Sequence, residues 1–161
     1  MSNAIDLAAA VGVELKAKKL LLSVAESCTG GGVAHAITDI AGSSEWFDCG
    51  FITYSNSSKT ELLNISEALI AQHGAVSEEI AAAMAAGAIA NSQAHVALST
   101  TGIAGPSGAV PGKPVGTVCF GWQIGSVTHT ERLVFSGERS AVRAQAVQHA
   151  LEKLLQFLRQ E

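Results

Sequence analysis

A hydroxyl, a phenol and an amine fall close together in the segment GSSEWFDCGFITYSNSSK, as Ser44, Tyr54 and Lys59. A serine hydroxyl attacks a carbonyl only when a neighbouring base takes its proton. Histidine usually serves, but none of the five (His35, His73, His95, His129, His149) lies in the polar loops, and His35 and His95 read as helix-face or strand-end residues. A lysine replaces histidine when it is held neutral. Lys59 falls in the first turn of an expected helix, where the positive end of the macrodipole disfavours a cation, and desolvation in a pocket lowers its pKa further. Tyr54 either relays the proton or is itself the base. Ser44, Tyr54 and Lys59 thus form a candidate acyl-transfer set, although the same spacing also fits a surface lysine beside a half-buried tyrosine.

A second concentration of function lies in AESCTGGGVAH, where Ser27, Cys28 and Thr29 precede Gly30, Gly31 and Gly32. Each glycine adds backbone entropy that folding must remove, so three in succession imply close approach of something to that backbone. Backbone N–H groups between a strand and a helix suit a phosphate or an oxyanion. Neither the G-x-x-x-x-G-K-[ST] nor the G-x-G-x-x-G pattern is present, and a glycine-rich turn with Ser27 capping the helix accounts for this segment taken alone. The theme returns in STTGIAGPSG, which carries Thr101, Gly102, Ile103, Ala104 and Gly105. Cys28 is a competing nucleophile if a helix N-terminus lowers its pKa. Arg139 and Arg143, four residues apart, either pair with a phosphate or stand as solvated surface charges. With no H-E-x-x-H, no paired cysteines and no tight Asp/Glu/His cluster, neither a metal nor another cofactor is expected.

The elements that must position these loops follow from composition and periodicity. The 161 residues suit one domain over 1–161, and 48% hydrophobic against 15% charged residues argue for a packed globule. A net charge of -4 with scattered Lys and Arg gives no footprint for nucleic acid. No basic-then-apolar leader and no run of about 18 apolar residues is found, so neither export nor a membrane is expected. Three unpaired cysteines (Cys28, Cys49, Cys119) fit a reducing compartment, the cytoplasm.

Apolar spacing predicts a helix from about Asn3 to Lys18, a strand over Leu20–Ala25, and a helix from Thr29 to about Ile40 that Gly42 ends. A second strand runs from Phe47 towards Tyr54, with Ser57 capping a short helix from about Ser58. A helix follows from Ser77, then strands over His95–Gly102, Val115–Ile124 and Val127–Phe135, the last two joined by a Gly125-Ser126 turn, and a helix from about Arg139 to the end. This order predicts an α/β fold, a mixed sheet with helices on both faces in three layers, and ligands at the carboxyl ends of strands. The three loops ESCTGGG, YSNSSK and TTGIAGPSG are expected to converge there, with Ser44 and Lys59 sharing one rim.

Taken together, AESCTGG, DIAGSSEWFDCGFITYSNSSK, QHGAVS, STTGIAGPSG, KPVGTV and FSGERSAVRAQAV resemble the CinA C-terminal domain family and cover nearly the whole chain. The resemblance implies hydrolysis of the carboxamide of nicotinamide mononucleotide to nicotinic acid mononucleotide and ammonia, in pyridine nucleotide recycling. It implies Ser44, Tyr54 and Lys59 as catalytic residues, with Ser27 as the second choice of nucleophile. Ser27 with its glycines, Thr101, Gly102 and Gly105 fall on the binding motifs, and the resemblance further implies a metal-independent reaction and homo-oligomers. The larger N-terminal domain that many relatives carry is expected to be absent, and Ser107 and Ala109 stand where relatives often have an acidic residue and a glycine.

Overall fold

The computed structural model describes residues 3–160, so the expected helical run to the chain end is seen only to Gln160. The order is α1 (Ala4–Lys18), β1 (Leu22–Glu26), α2 (Gly32–Thr38), a 3-10 turn (Ser43–Glu45), β2 (Phe47–Ile52), α3 (Asn56–Leu63), α4 (Glu67–His73), α5 (Glu78–Ala90), β3 (Val96–Gly102), β4 (Thr117–Ile124), β5 (Val127–Val134) and α6 (Arg139–Gln160). Among the described residues no helix is long and apolar enough to cross a membrane.

The five strands form one mixed sheet in the order β2-β1-β3-β4-β5. β1 runs parallel to both β2 and β3, and β4 and β5 add antiparallel. Side chains alternate between two cores, as the period of two in a strand requires. Leu22 and Val24 of β1, Val96 and Leu98 of β3, and Phe120 and Trp122 of β4 face α1, α2 and α6. Ala25 and Ala97 face the other way, against Leu63, Ile80, Met84 and Ala85 of α3 and α5. Small residues let α5 lie close to the sheet. Ser99 Oγ donates to Ala81 O at 2.5 Å, and a Cβ on Gly121 would collide with that same carbonyl.

The crossovers explain where a ligand can enter. The β1-to-β2 connection carries α2 on one face, and the β2-to-β3 connection carries α3 to α5 on the other, so the chain reverses direction across the sheet between β1 and β3. Such a switch point leaves a crevice at the carboxyl ends of the two strands.

Several local expectations shift. α2 begins at Gly32 rather than Thr29, because Gly30 and Gly31 have φ of 59° and 99° and Gly32 N–H bonds Thr29 O at 3.0 Å. Two consecutive positive φ values make a type I′ turn, which nearly demands Gly-Gly. Gly32 is needed for a different reason, since a Cβ there would lie 2.8 Å from a Val147 methyl of α6. α2 ends at Thr38, and Gly42, at φ 83°, leads into the 3-10 turn instead of closing the helix. β2 ends at Ile52, where its pairing with β1 ends at Glu26. The cap of α3 is Ser55, accepting Ser58 N–H at 3.1 Å, two residues before the expected Ser57. α4 is unforeseen in the sequence pattern, being seven residues long with only Ile70 buried.

Candidate active site

Lys59 lies in the first turn of α3, which the Ser55 cap aims back at the sheet. Its side chain is 1% exposed, among the largest fully buried side chains of the protein. The Nζ donates to Ser27 Oγ at 3.2 Å and to Thr53 O at 3.0 Å, and among the described residues no carboxylate pairs with it. Burial pushes its pKa below the ordinary 10.5, with the nearby Cys28 acting weakly the other way. An amine with a lowered pKa in hydrogen-bonding contact with a hydroxyl has the chemistry to act as a base towards a nucleophile.

Ser27 is placed by the sheet. Its N–H bonds Thr100 O at 2.9 Å, which carries the β1–β3 ladder one residue beyond Glu26, and its own carbonyl accepts Gly30 N–H at 3.0 Å. The hydroxyl therefore stands at the carboxyl end of β1, at the switch point. The residue just before it anchors the glycine turn and the start of α2: the fully buried Glu26 carboxylate accepts from Thr29 Oγ1 at 2.6 Å, Val33 N–H at 2.9 Å and Ala34 N–H at 2.9 Å. Thr29 Oγ1 also meets Thr100 Oγ1 at 2.7 Å. The amino end of α2 is thereby occupied by a carboxylate of the chain itself, and it is not the anion site that the glycine run suggested.

A cavity of about 300 Å³ opens over Ser27 and Lys59, lined also by Cys28, Tyr54, Asn56, Ala75, Val76, residues 101–105, Ser107, Gly108 and Arg139. That is the lower end of the volume range of small-ligand sites. Three polar loops converge here as expected. A fourth wall, Ala75 and Val76 between α4 and α5, was missed as a site element, and QHGAVS is its only sequence signal. Thr101 Oγ1 ties this wall to β3 by donating to Ala75 O at 2.8 Å. At the rim, Arg139 donates to Gly105 O at 2.8 Å and to the Tyr54 hydroxyl at 3.0 Å, bridging two of the loops.

Ser44 is the main correction. It is exposed, in the 3-10 turn that enters β2, whereas Tyr54 and Lys59 follow the exit of that strand. A six-residue strand is about 20 Å long at the usual rise, and Ser44 does not line the cavity that holds Lys59. Within one chain the hydroxyl beside the lysine is that of Ser27. Cys28 lines the cavity but is no thiolate: burial pushes its pKa up to about 12, and it lies before the turn rather than on the helix end. Thr29, Gly30 and Gly31 shape the turn without lining the cavity, and Arg143 points at the backbone behind them, donating to Cys28 O at 3.1 Å and Thr29 O at 3.3 Å.

Known proteins carry the same arrangement of segments. The sequence profile of the CinA C-terminal domain matches residues 4–158. The chain belongs to that family. It is 50% identical over 151 residues to the nicotinamide-nucleotide amidohydrolase PncC of Pseudomonas putida, covering 94% of each chain. To the PncC of Escherichia coli K12 it is 49% identical over 156 residues, covering 96% of this chain and 94% of the relative. Among solved structures, the competence damage-inducible protein A of Klebsiella pneumoniae superposes with a TM-score of 0.95 at 37% identity, over 98% of both chains.

Proposed function

We propose that this protein is a nicotinamide-nucleotide amidohydrolase that removes the carboxamide nitrogen of nicotinamide mononucleotide through a Ser27–Lys59 pair. The observation that carries the reading is the buried Lys59 amine 3.2 Å from the Ser27 hydroxyl at the floor of a ligand-sized cavity. The activity named for relatives at about half identity over nearly the whole chain supports the choice of substrate.

Neutral Lys59 takes the Ser27 proton as Oγ bonds to the carboxamide carbon, and the carbonyl π electrons move to oxygen to give a tetrahedral anion. Collapse breaks the C–N bond, and the nitrogen leaves as ammonia with the proton returned by Lys59. Water then adds to the Ser27 ester, passing its proton through Lys59 to Oγ, and nicotinic acid mononucleotide departs. Lys59 thus ends each half-reaction as it began it. Arg139, exposed at the rim, pairs with the phosphate, and Tyr54, held by the same guanidinium, orders the mouth of the cavity. Ser44 takes no part. The product feeds pyridine nucleotide recycling.

The test is ammonia release from nicotinamide mononucleotide by the purified chain and its variants. Ser27→Ala and Lys59→Ala should lose the reaction with the fold intact by circular dichroism, while Ser44→Ala keeps it. Ligand-dependent thermal stabilisation without any product would instead mark a binding module and overturn the proposal.

A further inference from the structure

The Ser27–Lys59 mechanism leaves the tetrahedral anion without a named donor, and it leaves Arg143, which the sequence reads either as a phosphate contact or as a solvated charge, without a ligand. Both gaps close in the turn that follows Ser27. Arg143 reaches from α6 with Nε 3.1 Å from Cys28 O and an Nη 3.3 Å from Thr29 O. Gly30 leaves room for it, since a Cβ at that position would stand 3.1 Å from the guanidinium. A trans peptide is planar, with its C=O and N–H pointing in opposite directions. Holding Cys28 C=O towards α6 therefore turns Thr29 N–H away from α6. Lys59 reaches Ser27 from the opposite face of the sheet, where α3 lies. The preceding peptide is fixed in a similar way, because Ser27 C=O is taken by Gly30 N–H, which sets the direction of Cys28 N–H. Neither Cys28 N–H nor Thr29 N–H is bonded to another residue's backbone or side chain among the described residues. Of these two residues Cys28 lines the cavity, and an N–H directly after a nucleophile stands where an oxyanion donor is needed.

We infer that Arg143 is a positioning residue for the proposed amide hydrolysis: by clamping the Thr29 carbonyl it fixes the peptide whose Gly30 N–H holds Ser27 C=O, and so sets the Cys28 N–H as the oxyanion donor for a Ser27 adduct. The inference rests on the Ser27–Lys59 reading, and it assigns Arg143 to the transition state rather than to the phosphate.

Steady-state kinetics with nicotinamide mononucleotide test it. Loss of one such donor typically costs about 10²–10³ in kcat, so Arg143→Gln should lower kcat by about that factor and leave KM within about threefold. Arg143→Lys, which keeps one cationic donor, should recover part of the loss and serves if the glutamine variant folds poorly. Millimolar guanidinium ion should partly rescue Arg143→Ala, an effect that a merely stabilising side chain would not show. A raised KM with unchanged kcat would assign Arg143 to the substrate and overturn the inference. So would unchanged kinetics with only a lower melting temperature. If Ser27→Ala retains full activity, the Ser27–Lys59 reading itself fails, and that result is obtained separately from any Arg143 variant.

Discussion

Replacing Lys59 with methionine removes the amine and keeps most of the volume of a side chain that is 1% exposed. Two effects of opposite sign should follow. A positioned general base contributes about 10²–10⁴ in rate, equivalent to roughly 3–5 kcal/mol of barrier, so kcat/KM for ammonia release should fall by that factor. In the wild type kcat/KM should rise with pH as Lys59 loses its proton and level off below 10.5, the ordinary value from which burial lowers this group. The variant's residual rate should lack that limb, and Lys59→Arg should not restore it, because a guanidinium cannot accept the proton. Stability moves the other way. Between the lowered pKa of the folded state and 10.5 in the unfolded chain, the unfolded state binds more protons, so wild-type stability rises with pH through that window and is lowest below it. Each unit of depression costs about 1.4 kcal/mol at low pH, a cost methionine does not carry. The opposing loss is the Nζ donor to Thr53 O, 3.0 Å long, whose orphaned carbonyl costs about 1–3 kcal/mol at every pH. The melting temperature of Lys59→Met relative to wild type should therefore be highest below the lowered pKa of Lys59 and decline from there towards pH 10.5, measured by calorimetry across that range. A variant that keeps kcat/KM within threefold, or one that retains the wild-type pH limb, would falsify the assignment of Lys59 as base.

Other expectations are more quickly checked. Ser27→Ala should reduce ammonia release by several orders of magnitude while Ser44→Ala stays within about twofold, given that Ser44 lies the length of β2 away. Cys28, pushed up to about 12 by burial, should resist iodoacetamide at pH 8 in the folded protein, as read by peptide mass spectrometry. Gly31→Ala should cost about 1–2 kcal/mol, or roughly 2–8 °C in melting temperature, because it forces an L side chain into positive φ. That strain arises at φ 99°, and the new Cβ would also stand 3.0 Å from Ile52 Cδ1.

Local patterns were legible in the chain itself. Apolar spacing marks α1, α5 and α6, and β-branched runs mark the strands, because burial of one face depends only on the period of the element. Lys59 in a first helical turn and Gly-Gly at a turn are likewise local features, readable from a few neighbouring residues. Even the fate of Ser44 was partly written there, since a residue entering a strand cannot meet one leaving it when the strand is six residues long. α4 was not readable, because a seven-residue helix with a single buried position carries almost no periodic signal.

What the tertiary structure decided is which groups touch. Ser27 and Lys59 are 32 residues apart and meet only because β1 and β2 run parallel and α3 folds back over their carboxyl ends. The glycine run reads as a ligand cradle until α6 is seen packed against Gly32 and the Glu26 carboxylate is seen seated on α2. Burial lowers the Lys59 pKa and raises that of Cys28, and burial is a property of everything packed around a group rather than of its neighbours in the chain. Residue types set which chemistry was available, and long-range packing chose which hydroxyl stands beside the amine.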